Sequence, residues 1–229
     1  MNIMILGHKG MLGDAVYRFY QKSTEYTLTT TDLRWPSIEF KNFILQSKVD
    51  AIINCIGAIP NKYKDFSINI YLPLFLLSTN TIVINPGTDI SDDSEYSFSK
   101  NIISDLSNKI DNLYTIQCSI IGMGGLLKSI VEKNLLYGYT NHYWNGITTI
   151  EWAKISLEVI NRKIENKIII PSTKCITKFE LSNLIIEKFK IKHQIIPQKK
   201  LDGADRCLDG NLLVNDIEYL LDELIKYYK

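Results

Sequence analysis

A tyrosine and a lysine four residues apart, in Tyr96-Ser97-Phe98-Ser99-Lys100, form the only Tyr-x-x-x-Lys in the chain. On a helix, four residues is about one turn, so the two side chains share a face. An ammonium beside a phenol favours phenolate and lowers the phenol from its usual pKa of about 10. Such a tyrosine can give a proton to a carbonyl oxygen that is being reduced. Thr88, at the end of an upstream apolar run, can hydrogen-bond the same oxygen, and Asp89 follows it.

A second group of residues suits phosphate. The apolar run Asn2–Leu6 enters Gly7-His8-Lys9-Gly10-Met11-Leu12-Gly13, and a helical pattern starts inside that stretch. Glycines serve three purposes at such a turn: the bend itself, close approach of backbone to a pyrophosphate, and tight packing of helix on strand. The helix N-terminus adds free N–H groups and the positive end of its dipole. The spacing is Gly-x-x-Gly-x-x-Gly, one residue away from the usual dinucleotide pattern. Further on, Asp32-Leu33-Arg34 closes the second strand-like run. Asp32 suits free ribose hydroxyls and Arg34 a 2′-phosphate, so NAD and NADP both remain open. His8 and Lys9 are additional candidates for cofactor phosphate.

These residues need a scaffold that brings strand ends together. Short β-rich runs (Asn2–Leu6, Tyr26–Thr31, Ala51–Cys55, Thr81–Asn85, Tyr114–Ser119) alternate with helical patterns at Met11–Gln21, Ser37–Gln46, Phe66–Leu77 and Tyr96–Ser107. That alternation predicts βαβ units and a parallel sheet covered on both faces. The second half is less regular: helices are expected at Leu126–Asn134, Thr148–Arg162, Phe179–Phe189 and Asp216–Tyr228. Short strands are expected at Lys167–Ile170 and His193–Ile196, and an aromatic, polar loop at Gly138–Gly146. The expected fold class is α/β: a Rossmann-like doubly wound parallel sheet with a small C-terminal lobe. Residues 1–165 would form the core, with 119–147 contributing to a cleft, and 166–229 the lobe.

The glycine loop, the Asn54-Cys55-Ile56-Gly57 turn, Thr88-Asp89 and Tyr96-x-x-x-Lys100 together resemble the extended short-chain dehydrogenase/reductases. More narrowly they resemble the branch that reduces 4-keto-6-deoxy sugar nucleotides, the dTDP-4-dehydrorhamnose reductases. Cys118-Ser119-Ile120-Ile121-Gly122, Trp144-Asn145-Gly146-Ile147-Thr148-Thr149 and Arg206-Cys207-Leu208-Asp209 extend the resemblance over nearly the whole chain. It implies NAD(P) on residues 7–13, 32–34 and 55–57, a Tyr96/Lys100/Thr88 active site, and a nucleotide-linked 4-keto sugar as substrate. A homodimer built on the helices around Phe66–Leu77 and Tyr96–Ser107 is also implied. Two departures stand out. Thr88 and Tyr96 are only eight apart, where the family has a longer segment walling the substrate pocket. Gln117 and Met123 occupy positions where the family usually has arginine.

Other polar residues can serve the substrate. His142 lies beside Trp144 and Asn145 in an aromatic stretch able to pack a sugar or read hydroxyls, and it is the one attractive base for a coupled 3-epimerisation. Arg206 can fork onto a diphosphate or pair with Asp202 or Asp205. A non-catalytic NAD(P)- or sugar-nucleotide-binding partner of another enzyme is the alternative reading, favoured by the short Thr88–Tyr96 segment.

Composition narrows the field further. Across 229 residues, Lys+Arg 26 against Asp+Glu 25 leaves a net charge of +1. Neither sign clusters, which argues against nucleic acid as partner. Four scattered cysteines without Cys-x-x-Cys suggest neither a disulfide framework nor a metal site, and free thiols in a cytoplasmic protein are expected. Ile68–Ile84 is cut by Asn69, Pro73 and Asn80 and reads as no membrane span.

Overall fold

The computed structural model describes residues 1–60, 62–132 and 137–229. Two compact units emerge: Met1–Gln117 with Ala153–Ile169, and Cys118–Trp152 with Ile170–Lys229. This division differs from a single cut at 165. Strand Ile168–Ile169 joins the first unit because it pairs with a strand there. Residues 118–152 join the second because strand His142–Trp144 pairs with Ile176–Thr177 and Ala204–Arg206.

The first unit is built on β1 (Asn2–Leu6), α1 (Met11–Gln21), β2 (Thr27–Thr29), α2 (Ile38–Gln46), β3 (Ala51–Asn54), α3 (Ile68–Leu76), β4 (Ile82–Pro86), α4 (Glu95–Ser107) and β5 (Leu113–Ile116). Its strands form one parallel sheet in the order Ile168–Ile169, β5, β4, β3, β1, β2. The strands are apolar almost throughout, as burial on both faces requires. Alternate residues Met4, Leu6, Ile52 and Val83 pack with Phe40 and Ile44 of α2, Leu72 and Leu76 of α3, and Ile103 of α4. Ile3, Ile5 and Ile53 are equally buried and point the other way by strand alternation. On the first unit's remaining helices, the Tyr20 hydroxyl of α1 lies 3.0 Å from that of Ser156. The doubly wound reading of the sequence is therefore correct.

The chain leaves β1 for β2 on one side, then crosses to β3 on the other. The order reverses between β1 and β3, and in open α/β sheets ligands bind in the crevice beyond the strand ends at such a point.

The second unit carries helices Gly125–Glu132, Lys178–Phe189 and Ile217–Tyr228 and several short strands. The helix expected over Leu126–Asn134 is present to Glu132; Lys133 and Asn134 lie outside the described residues. Gly138–Gly146, expected as a loop, instead contains strand His142–Trp144 and the end of strand Tyr137–Tyr139, which pairs with Ile196–Gln198. These strands owe their existence to distant partners, which a local pattern does not show. Lys178–Phe189 starts with a full capping box between Thr177 and Glu180.

The expectation of unpaired thiols is corrected at one place: Cys175 and Cys207 are joined by a disulfide, with Cα atoms 5.8 Å apart. Cys55 and Cys118 form no disulfide among the described residues. Among the described residues no helix is long and apolar enough to cross a membrane.

Candidate functional site

β1 delivers the glycine loop at its C-terminal end. Gly7 takes φ +76°, which a side chain would oppose, and a Cβ there would press on the Cys55 backbone at 3.1 Å. Gly10 N–H donates to the Gly7 carbonyl (2.8 Å), closing the turn. At Gly13 a Cβ would meet the Gly7 oxygen at 2.1 Å, so α1 leaves the strand at a distance only glycine permits. Gly10 differs from both. Its φ is ordinary, −84°, and the one atom near its missing Cβ is the Gly7 oxygen at 3.3 Å. As N-cap of α1 it offers no side chain to the first-turn amides of Met11, Leu12 and Gly13. An open cradle of amides at a helix N-terminus fits a pyrophosphate.

The neighbouring strand brings its own turn alongside. Cys55 N–H donates to the Leu6 carbonyl (3.0 Å), and Ile56 N–H to Asn54 Oδ1 (3.1 Å), which places Cys55, Ile56 and exposed Gly57 next to the glycine loop. Asp32, Leu33 and Arg34 follow β2 at the surface. Asp32 is gripped by Lys9, whose ammonium is 2.6 Å from Oδ2, with His8 Nε2 3.8 Å from Oδ1. The Lys9 hydrogen bond is the main reason the Asp32 carboxyl sits below its ordinary pKa.

β4 and α4 bring the remaining residues. Ser94 caps α4 by accepting from Ser97 N–H, and the Ser97 hydroxyl donates to the Ile90 carbonyl (2.7 Å). The short segment between Thr88 and Tyr96 is thereby tied at both ends to the helix it precedes. Thr88 is buried, its Oγ1 accepting from Ile90 N–H (3.2 Å), which leaves the hydroxyl proton to donate. Asp89 Oδ2 is buried with no hydrogen-bond partner among the described residues. Tyr96 is 8% exposed and meets Phe66 edge-on, centroids 5.5 Å apart. One turn later Lys100 donates to the Pro86 carbonyl at the end of β4 (2.9 Å). Burial away from water brings the Lys100 pKa down to about 8, and half-buried Cys55 nearby opposes that shift. The Cys55 thiol is itself pushed up by burial.

Beneath Lys100 is a polar pocket that no sequence motif announced. Asn54 Nδ2 donates to Asn85 Oδ1 (2.8 Å), Asn69 bonds both the Ala58 backbone and Ser99 Oγ, and Asn85 Nδ2 has no partner among the described residues. With Lys100 and Thr115 these asparagines line a cavity of about 10 Å³, the order of one water molecule. The sequence signals were Asn54 in the turn after the third strand and one asparagine inside the otherwise apolar Ile68-Asn69-Ile70-Tyr71-Leu72.

All the expected cofactor residues, together with Thr88, Asp89, Tyr96 and Lys100, thus lie in the first unit at the ends of β1–β4. The other four expected substrate residues lie in the second. Trp144 is buried there (1% exposed), with the Lys178 ammonium over its ring. Asn145 uses both amide groups on the Leu208 backbone. His142 packs at a tilt against Tyr139 and meets the Asp202 carbonyl through Nε2 at 3.0 Å. Arg206 is exposed and, among the described residues, has no ion pair with Asp202 or Asp205.

The glycine cradle at the β1/β3 switch point, and the tyrosine and lysine on the helix after β4, lie where the resemblance in the sequence led one to expect them. Among solved structures the chain is similar to a dTDP-4-dehydrorhamnose reductase of Clostridium acetobutylicum, with TM-score 0.80 and 18% identity over 100% of this chain and 99% of that one. It is also similar to the Bacillus anthracis dTDP-4-dehydrorhamnose reductase solved in complex with NADP, with TM-score 0.77 and 13% identity over 98% and 97% of the two chains. A dTDP-glucose 4,6-dehydratase of the same organism, in complex with NAD, gives TM-score 0.75 at 15% identity over 100% and 96%. No family model matches the chain, and no curated protein matches its sequence. At these identities the likeness is one of fold.

Proposed function

We propose that the chain is a cytoplasmic NAD(P)-dependent reductase of nucleotide-linked sugars, acting on a 4-keto-6-deoxy substrate. The observation that supports this reading is Lys100 fixed on the end of β4, 3.5 Å from where a Gly57 Cβ would stand, with Thr88, Tyr96 and the open glycine loop in the same compact unit. The structural neighbours act in the same area of chemistry: two are dTDP-4-dehydrorhamnose reductases, one of them in complex with NADP.

The amides of Met11, Leu12 and Gly13 and the Gly10 backbone would hold the pyrophosphate. Asp32, Lys9 and Arg34 would meet the adenosine ribose, and residues 55–57 would flank the cofactor. A nicotinamide bound there would supply hydride to the carbonyl carbon. Tyr96 Oη then donates its proton to the carbonyl oxygen, while the Thr88 hydroxyl hydrogen-bonds that oxygen and stabilises its developing charge. Lys100, fixed on Pro86, supplies positive charge on the same helical face, which eases proton loss from the phenol. The Asn54/Asn69/Asn85 cavity behind Lys100 gives a water a place from which to return a proton.

Arg206 and His142 remain the second unit's candidates for diphosphate and sugar, and His142 for a coupled 3-epimerisation. Its Nε2 contact to the Asp202 carbonyl makes Nε2 the protonated nitrogen and Nδ1 the basic one. A panel of 4-keto sugar nucleotides, followed by loss of NADPH or NADH absorbance, tests the proposal. Turnover of one member supports it. Cofactor binding with no turnover of any member replaces it with a binding-protein role.

A further inference from the structure

In the second unit, strand His142–Trp144 has Ile176–Thr177 antiparallel on one side and Ala204–Arg206 parallel on the other, with Ile176, Trp144 and Arg206 in line. Continuing this register by one residue brings Cys175 and Cys207 level with Asn145, where the central strand has ended. Strands two apart in a sheet are separated by about 9–10 Å, yet the Cα atoms of these cysteines are 5.8 Å apart. The outer strands therefore close around the end of the middle one. Asn145 holds that convergence from within. Its carbonyl accepts from Thr173 N–H (3.1 Å), and its side chain exchanges two hydrogen bonds with the Leu208 backbone.

Besides the bond itself, hydrogen bonds of Asn145 therefore tie together the two segments that carry the sulfurs. Cys175 is exposed and Cys207 half-buried, so reagents in solution reach this pair; Cys118 is 4% exposed, and Cys55 is half-buried with its thiol pushed up by burial, which disfavours the thiolate. A carboxylate oxygen of Asp205 lies within 4.8 Å of both sulfurs, and Asp205 also accepts from Cys207 N–H (3.0 Å). Negative charge there disfavours thiolate and slows attack. Arg206, exposed and without an ion pair among the described residues, immediately precedes Cys207.

We propose that Cys175 and Cys207 are a reversible thiol–disulfide site, and that its oxidation stiffens the Arg206 strand and tightens the hold on a nucleoside diphosphate. The second clause rests on the function proposed above. The oxidant is a low-molecular-weight disulfide of the glutathione type. One protein thiolate attacks a sulfur of glutathione disulfide, forming a mixed disulfide and expelling one glutathione thiolate. The other protein thiolate then displaces the second glutathione. The dithiol loses two protons and two electrons, and two glutathione molecules result. An Arg206 already held in place loses less freedom on binding, so affinity rises on the order of threefold.

The test equilibrates the full chain in glutathione buffers of graded ratio, traps free thiols by alkylation, and maps peptides without reduction. It then measures dTDP binding to each form by calorimetry and amide exchange at residues 204–208. The expected result is a Cys175–Cys207 cross-link that appears with glutathione disulfide and disappears with excess glutathione, while Cys55 and Cys118 stay reduced. The oxidised form should bind dTDP about threefold more tightly and exchange more slowly at 204–208. Cys175→Ser and Cys207→Ser should hold the reduced values in every buffer, and Asp205→Asn should speed cross-linking. Absence of the cross-link at every ratio overturns the proposal, and so does a cross-link that changes neither dTDP affinity nor exchange. If neither form binds dTDP, the substrate reading fails; slower exchange in the oxidised form then still supports the redox site, and unchanged exchange rejects it.

Discussion

Lys9 Nζ lies 2.6 Å from Asp32 Oδ2, so the one carboxylate expected at the adenosine ribose faces a cation from the glycine loop. An unpaired aspartate there repels a 2′-phosphate; this one is partly neutralised, with Arg34 close enough to lower its pKa further. NADPH is therefore expected to bind at least as tightly as NADH in a fluorescence titration. Lys9→Ala should weaken NADPH relative to NADH by a few-fold, because the pair is exposed and such pairs are individually weak. The difference should shrink as salt is added. A dissociation constant for NADPH much larger than for NADH in the parent protein would show that Asp32 dominates.

Gly10 and Gly13 separate binding from folding. A Cβ at Gly13 would stand 2.1 Å from the Gly7 oxygen, so Gly13→Ala should lower the melting temperature. At Gly10 the backbone is unstrained and the site open toward the cradle, so Gly10→Val should fold and lose affinity for both dinucleotides. Unchanged binding by Gly10→Val would place the pyrophosphate elsewhere.

Lys100 should leave its mark on pH dependence. Its folded pKa of about 8 lies below the ordinary 10.5 because burial disfavours the ammonium. Between those values the unfolded chain holds a proton that the folded chain has lost. The Lys100 contribution therefore makes stability rise as pH climbs from about 8 to 10.5, and the burial cost is felt in full below that window. Ketone reduction, which uses the charged form, should decline above pH 8. Urea denaturation across this range checks the first statement, and Lys100→Met should flatten that slope. A pH–rate profile with no limb near 8 would contradict the second.

How far the site could be read in advance depended on the range of the interactions that make it. An apolar run ending at Gly7 and Tyr96 one turn before Lys100 are local patterns, and the structure places those residues in the first unit as strand and helix periodicity require. Asn69 was harder to notice, since one asparagine in an apolar helix looks like a blemish until Ala58 and Ser99 are seen to satisfy it. The Cys175–Cys207 bond was invisible because it depends on two strands meeting past Trp144, and the sequence separation of 32 carries no such information. Trp144 and Asn145 suit a ligand in composition, and only packing reveals that their ring and amide are engaged within the unit.

The expectation about assembly starts from α3 and α4, two helices of the first unit that pack on each other. Tyr71 and Leu74 of α3 and Phe98 of α4 are 61%, 38% and 65% exposed and are available to a second copy of the chain. A homodimer through α3 and α4 is expected, at twice the 26.3 kDa chain mass, by light scattering at micromolar concentration. Phe98→Glu should shift it toward monomer. A parent protein already monomeric there would reject this interface.

The chemistry turns on one hydroxyl. Tyr96→Phe removes the proton donor and keeps the ring against Phe66, so folding and cofactor affinity should survive. Turnover should fall by about 10²–10⁴-fold, the usual worth of a positioned general acid, or roughly 3–5 kcal/mol of barrier. Lys100→Met should lose turnover and also some cofactor affinity, because the ammonium would hold the nicotinamide ribose as well as act on the phenol. Thr88→Val should cost less, about one transition-state hydrogen bond, since the buried site accepts the isosteric side chain but loses the donor. That ordering, with Tyr96 and Lys100 severe and Thr88 mild, distinguishes this mechanism from one in which Asp89 is the acid. Asp89 Oδ2 is buried with no hydrogen-bond partner among the described residues, and in that case Asp89→Asn would be the severe variant. Full activity of Tyr96→Phe on the best substrate found would refute the proton-transfer role assigned to Tyr96.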